Sequence, residues 1–121
     1  MRDLPPRRGE IWNVFTPGQP SDPHQPRPAL VISVDQRNRL EDDVLVVPVF
    51  SRGASGPTHV HIGGGASGLS HDSVLFCEEV TMIDIEFLEE GPLGQKVPDA
   101  VLRQVVRGIR IAAGDVPLPG T

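Results

Sequence analysis

Along most of the chain the apolar residues come in short runs cut off by proline, glycine and polar clusters, and this spacing predicts strands. Gly9-Glu10-Ile11-Trp12-Asn13-Val14-Phe15 alternates well enough for a first strand, with Ile11 set apart from the face of Trp12 and Val14. Ala29 to Val34 reads as a second strand and Val44 to Phe50 as a third, whose Pro48 marks an edge or a bulge because it cannot donate to a ladder. Thr58 to Ile62 gives a short fourth strand and Ser73 to Val80 a fifth. Thr16 to Pro26 holds four prolines and reads as a long loop of the kind that often carries function. Asp35 to Asp42 reads as a polar connection, Ile83 to Glu89 as a helical turn, and Gly91 to Val97 as a short sixth strand. The run Gly63-Gly64-Gly65 opens a loop; neither its spacing nor a following helix matches a nucleotide fingerprint.

One segment has the helical period. From Pro98 to Ala113, Leu102, Val105, Val106, Ile109 and Ala113 line one side, while Arg103, Arg107 and Arg110 line another and Gly114 supplies a C-cap. That arginine stripe reads first as a solvated face. Five or six short strands with hairpin-like spacing and one terminal helix predict a mainly β (α+β) fold, a small curled antiparallel sheet closed by a C-terminal α-helix. A chain of 121 residues is one domain, 1–121, with its core over about 7–113 and a flexible tail at 114–121.

Composition narrows the setting. Hydrophobic residues at 38% and charged residues at 22% describe an ordinary globular chain, and no apolar stretch approaches the roughly 20 residues that span a bilayer. The N-terminus lacks the apolar core of a signal peptide, and a single cysteine, Cys77 inside an apolar run, reads as a buried thiol in a reducing cytoplasm. The net charge of −5 argues mildly against nucleic acid, but the charge is uneven. Residues 1–52 carry seven basic side chains against seven acidic ones, whereas 72–90 carry seven acidic and no basic. A positive groove on the N-terminal half is compatible with that distribution.

The candidate chemistry centres on Pro26-Arg27-Pro28 at the start of the second strand. Pro28 pushes Arg27 out of the helical region, so a stiff, extended backbone delivers the guanidinium, whose planar fork suits a bidentate grip on phosphate. The same spacing also fits an arginine that only faces water. His59 and His61 lie two apart on a strand and share a face, as a metal pair does, but no third ligand stands at a metal spacing. Either can instead act as a base near neutrality. His24 precedes Arg27 by three residues on the long loop, and His71 reads as a loop residue.

The order of segments resembles the MazF/PemK/Kid family of toxin endoribonucleases over about residues 7 to 113. The matching pieces are Arg8-Gly9-Glu10-Ile11-Trp12, Arg27-Pro28-Ala29-Leu30-Val31-Ile32-Ser33, Val46-Val47-Pro48-Val49, Pro57-Thr58-His59-Val60, and Asp72-Ser73-Val74 followed by Ile83-Asp84. The resemblance implies an SH3-like barrel, a homodimer, and a cognate antitoxin that blocks the site. It also implies ribosome- and metal-independent cleavage of single-stranded RNA without cofactor, by attack of the 2′-hydroxyl on the adjacent phosphorus, and hence arrest of translation and growth. Arg27 matches the family's essential arginine, Glu78 an acidic site position of some relatives, and Asp22 an acidic position in the loop before the arginine. Phe50 falls where the family has its catalytic threonine. We expect a bulge near Pro48 to rotate Ser51 onto the site and supply the missing hydroxyl. Arg27, Ser51 and Glu78 are then the expected catalytic residues. Arg8, Asp22, His24, Arg27, Phe50 and Arg52 are the expected RNA contacts.

Two other readings stand beside this one. A degenerate relative that only binds RNA or a protein fits the lost threonine, the acidic net charge and the scarcity of aromatics for base stacking. A metal-dependent enzyme would use the face of His59 and His61.

Overall fold

The computed structural model describes residues 5–15, 26–65, 67–89 and 91–118. Its elements are β1 (Ile11–Val14), β2 (Arg27–Val31), α1 (Asp35–Leu40), β3 (Asp43–Phe50), β4 (His59–Ile62), β5 (Ser73–Phe76), β6 (Thr81–Asp84) and α2 (Asp99–Ala112), with single 3-10 turns at Cys77–Glu79 and Ile85–Phe87. All pairings between strands are antiparallel, in the order β1-β2-β3-β5-β4, with β6 also on β3. The long β3 organises the sheet. One edge pairs with β2, and the other takes β6 along its first half and β5 at its last two residues, which curls the sheet onto itself.

Alternation along the central strands feeds two apolar clusters. Leu30 and Val47 point into the larger one with Ile11, Val60, Leu75 and the Leu102 and Val105 face of α2. Val31 and Val46, their neighbours in sequence, point into the smaller one with Val14, Val44 and the partly buried Trp12, Ile83 and Phe87. The centre of the sheet is therefore buried on both faces. Burying Leu102 and Val105 contributes roughly 1.5–3 kcal/mol each, enough to hold α2 against the sheet.

Several elements differ from the expected ones. Asp35–Leu40 is a helix and not a polar connection; the residue it buries is Asn38, so it shows no aliphatic period. Asn38 donates to the Ser33 carbonyl at 3.0 Å and accepts from the Ser33 hydroxyl at 2.6 Å, and that hydroxyl oxygen accepts from the Leu45 amide. The fifth strand stops at Phe76 and tightens into a 3-10 turn, where the next residue, Cys77, is fully buried. The sixth strand is Thr81–Asp84 and not Gly91–Val97. The latter segment still runs beside β1, with Leu93 donating to Ile11 and Val97 to Gly9.

Gly108 explains how closely α2 packs. A Cβ there would lie 2.7 Å from Cys77 Sγ, so only glycine lets the helix rest on the 3-10 turn. Burial pushes the Cys77 thiol up to about 11, which keeps it neutral and unreactive. Among the described residues no helix is long and apolar enough to cross a membrane.

Candidate active site

Strand register assembles the site. Ala29 pairs with Pro48 and Leu30 with Val47, and continuing that register sets Arg27, the first residue of β2, opposite Phe50, the last of β3. The guanidinium carbon lies 5.3 Å from the centre of the Phe50 ring, a cation–π contact. Phe50 in turn pairs with Val74, which places Phe76 on its diagonal and on the same face. The two rings meet at 4.5 Å with their planes tilted by 50°. His59 pairs directly with Phe76 and stacks on it at 4.1 Å, nearly parallel. The result is a continuous stack from Arg27 through Phe50 and Phe76 to His59.

At the Arg27 end a cleft of about 590 Å³ is lined by Arg27, Phe50, Ser51, Arg52, His71 and Ser73, among others. A second cleft of about 450 Å³ shares Ser51, Arg52 and Ser73 with it and adds His61 and Asp72. The described pairing shows no bulge: β3 keeps one register with β2 at Val46, Val47 and Pro48 and one with β5 at Val49 and Phe50, where its last pairing falls. Ser51 reaches the cleft because pairing stops there and the chain bends, which frees it from strict alternation.

The expected site residues separate into groups. Arg27, Phe50, Ser51 and Arg52 share one cleft. Arg8 stands elsewhere: its side chain donates to the Ile32 carbonyl at 3.1 Å and its amide to Asp35 at 2.7 Å. Ile32 follows the far end of β2 from Arg27, some 16 Å along the strand at about 3.3 Å per residue, so Arg8 fastens α1 and is not part of this cleft. Glu78 sits on the 3-10 turn, 2.6 Å from His59 Nε2 at the opposite end of the stack, and does not line the cleft. Asp22 and His24 lie outside the described residues. His71 is a loop residue, as expected, but it lines the cleft; its Nδ1 lies 3.1 Å from the Asp72 carbonyl and 3.4 Å from Ser73 Oγ, so Nδ1 is the ring nitrogen engaged by the loop itself. Nothing in the sequence around His71 signals this, because the approach of its loop to Arg27 is purely tertiary.

The two strand histidines do share a face, opposite the buried Val60 and Ile62. His59 Nδ1 lies 2.7 Å from the Ala54 carbonyl, and this contact, together with Glu78 and Glu79, raises its pKa above 6.5 against the opposing effect of burial. With both ring nitrogens engaged, His59 offers no lone pair to a metal. Among the described residues, no three His, Cys, Asp or Glu side chains stand together as a metal site requires.

A guanidinium braced on an aromatic ring, a second arginine, a hydroxyl and an imidazole in one open cleft make up the equipment of a protein that handles a phosphodiester. The chain belongs to the PemK-like, MazF-like toxin family of type II toxin–antitoxin systems, whose model matches residues 7–113. It is 36% identical over 112 residues to endoribonuclease MazF9 of Mycobacterium tuberculosis, covering 87% of this chain and 93% of the relative. Endoribonuclease MazF of Staphylococcus saprophyticus is 30% identical, with coverage of 89% and 91%. The fold is similar to that of MazF from Deinococcus radiodurans, with a TM-score of 0.74 at 25% identity over 93% of this chain and 99% of that one. A MazE–MazF structure from the same organism matches with a TM-score of 0.72 at 26% identity, covering 93% of this chain and 98% of that chain.

Proposed function

We propose that this protein is the toxin of a type II toxin–antitoxin pair, a cytoplasmic homodimeric endoribonuclease that cleaves single-stranded RNA without a metal and is held inactive by a cognate antitoxin. The observation that carries the reading is the convergence of Arg27, Ser51, Arg52 and His71 on one cleft in a chain of this family. The nucleophile is the substrate's own 2′-hydroxyl, which explains a preference for RNA over DNA. Arg27 holds the phosphate in line and neutralises the charge that builds on the pentacoordinate phosphorus. Ser51 adds a hydrogen bond to a phosphate oxygen, and Arg52 holds the neighbouring phosphate. His71 Nε2 takes the proton from the 2′-hydroxyl as the new P–O2′ bond forms; the P–O5′ bond breaks, leaving a 2′,3′-cyclic phosphate, and water protonates the departing 5′-oxygen.

Cleavage of a long RNA, with and without EDTA, tests the reading. EDTA-resistant cutting that falls more than a hundredfold in a folded Arg27→Ala variant, about 3 kcal/mol of transition-state stabilisation, is the expected result. Near-normal turnover in that variant removes Arg27 from the site, and EDTA-sensitive cutting removes the metal-free mechanism.

One observation favours a second reading. Phe50 stands where the family resemblance puts a threonine, and its ring lies under Arg27. An RNA-binding module that does not cut fits that substitution, and it predicts RNA binding by the wild-type chain with no cleavage under any condition.

A further inference from the structure

His59 lies outside both clefts, and both of its ring nitrogens are engaged. Its Nδ1 faces the Ala54 carbonyl at 2.7 Å and its Nε2 faces Glu78 Oε1 at 2.6 Å. A carbonyl and a carboxylate both accept, so each ring nitrogen must donate, and only the imidazolium carries two N–H groups. A neutral ring keeps one of these bonds and sets a lone pair against an oxygen in the other. The charges acting on the ring are the carboxylates of Glu78 and Glu79; the loop contributes the Ala54 carbonyl and β5 the face of Phe76.

The Ala54 contact matters because of what the same loop carries. Residues 51–57 are exposed along their length and contribute Ser51 and Arg52 to the cleft. Few contacts hold this loop down. His59 donates its amide to Gly56, Ser55 Oγ lies within 3.4 Å of His61, and Gly53 lies so close over Phe76 that a Cβ there would be 2.6 Å from the ring. The short bond from the His59 ring to Ala54 is the charged one among them, and charge-assisted bonds are roughly twice as strong as neutral ones.

We propose that His59 is a positioning residue, held as an imidazolium between Ala54 and Glu78, that pins the 51–57 loop and so sets Ser51 and Arg52 beside Arg27. The consequence for RNA rests on the function proposed above, whereas the clamp itself does not. When the imidazolium loses its proton the Glu78 bond fails, the ring is free to turn from Ala54, and the loop loosens.

The test uses the full-length protein labelled with nitrogen-15. The His59 ring titrates above the ordinary imidazole value, and as pH rises through that titration the backbone order parameters of residues 51–56 fall with the same midpoint. Glu78→Gln allows a neutral ring to keep both contacts, since the amide donates to Nε2 while Nδ1 still donates to Ala54, so the loop becomes insensitive to pH. His59→Phe keeps a ring on Phe76 but loses both bonds. Its loop has low order parameters at every pH, and it binds a short 2′-O-methyl RNA about tenfold more weakly than wild type, roughly 1.4 kcal/mol. A His59 that titrates at or below the ordinary imidazole value overturns the proposal, as does a loop whose order parameters are untouched by His59→Phe or whose pH dependence survives Glu78→Gln. If the wild-type protein binds no RNA, the proposed function fails, and the nitrogen-15 titration and relaxation data still decide the clamp.

Discussion

Replacing Phe50 by threonine sets the fold against the chemistry at a single position. In the structure the Phe50 ring is half-buried, supports the Arg27 guanidinium at 5.3 Å and meets Phe76 at 4.5 Å. Losing the ring pair costs about 0.5–1.5 kcal/mol and losing the cation–π contact about 0.5–1 kcal/mol. Removing a half-buried aromatic surface adds roughly 1 kcal/mol. Threonine is a good strand residue and recovers little of this, so Phe50→Thr is expected to lose about 2–3 kcal/mol in urea denaturation. The chemistry points elsewhere: Ser51 already lines the cleft with a hydroxyl. With a fluorogenic RNA, Ser51→Ala is expected to lower kcat/KM about tenfold, roughly 1.4 kcal/mol, while Phe50→Thr leaves it unchanged or lower because Arg27 loses its brace. A Phe50→Thr variant that cuts much faster than wild type, with Ser51→Ala silent, refutes this reasoning and identifies the wild-type chain as a weakened nuclease.

Three further predictions concern what holds the site in place. Gly108→Ala gains about 1 kcal/mol of helix propensity but drives a methyl to 2.7 Å from the buried Cys77 sulfur; with overpacking at about 1–3 kcal/mol, a net loss near 1 kcal/mol is expected, and a cycle with Cys77→Ala should show positive coupling. Asn38→Ala strips two hydrogen bonds from the Ser33 network at a fully buried position and should cost about 2–4 kcal/mol by denaturation, whereas a loss under 1 kcal/mol would show that water takes over these bonds. Because the His59 pKa is raised in the folded state, its contribution to stability is complete below 6.5 and disappears as pH rises through the folded value; the fall in Tm over that window should be smaller in Glu78→Gln, which removes the charge, than in wild type.

Strand positions were legible for two reasons: Thr58 to Ile62 follows the period of two, while Val44 to Phe50 is a short apolar run of the kind a strand buried on both faces carries. The two elements that escaped the pattern lack an apolar signature. The helix at Asp35–Leu40 buries an asparagine and leaves Leu40 exposed, while β6 keeps Thr81, Met82 and Asp84 at the surface and is fixed by backbone pairing to β3. Arg27 was legible from its two prolines, since those constrain the backbone locally. Arg8 was not, because the Ile32 carbonyl that occupies its side chain is remote in sequence. His71 and Phe76 were equally hidden: one arrives with a loop, and the other takes its place through the pairing of β3, β5 and β4.

That pairing also changes what the composition means. Four phenylalanines and one tryptophan are few for a surface that stacks bases, and by count alone they weigh against RNA. Two of those phenylalanines, however, stand next to each other at the site, where the ends of β3 and β5 meet. Arg27 covers one end of the pair and His59 the other, so a cation is held over Phe50 and an imidazolium over Phe76. Each aromatic face thus holds a positive group in place, one at the cleft and one at the loop that carries Ser51 and Arg52. The acidic residues Glu78 and Glu79, which count against nucleic acid in the net charge, sit beyond His59 and act on that imidazolium away from the cleft. The net charge of −5 and the scarcity of aromatics therefore describe the chain's average, while the register of β2, β3, β5 and β4 decides the charge and the rings at its cleft.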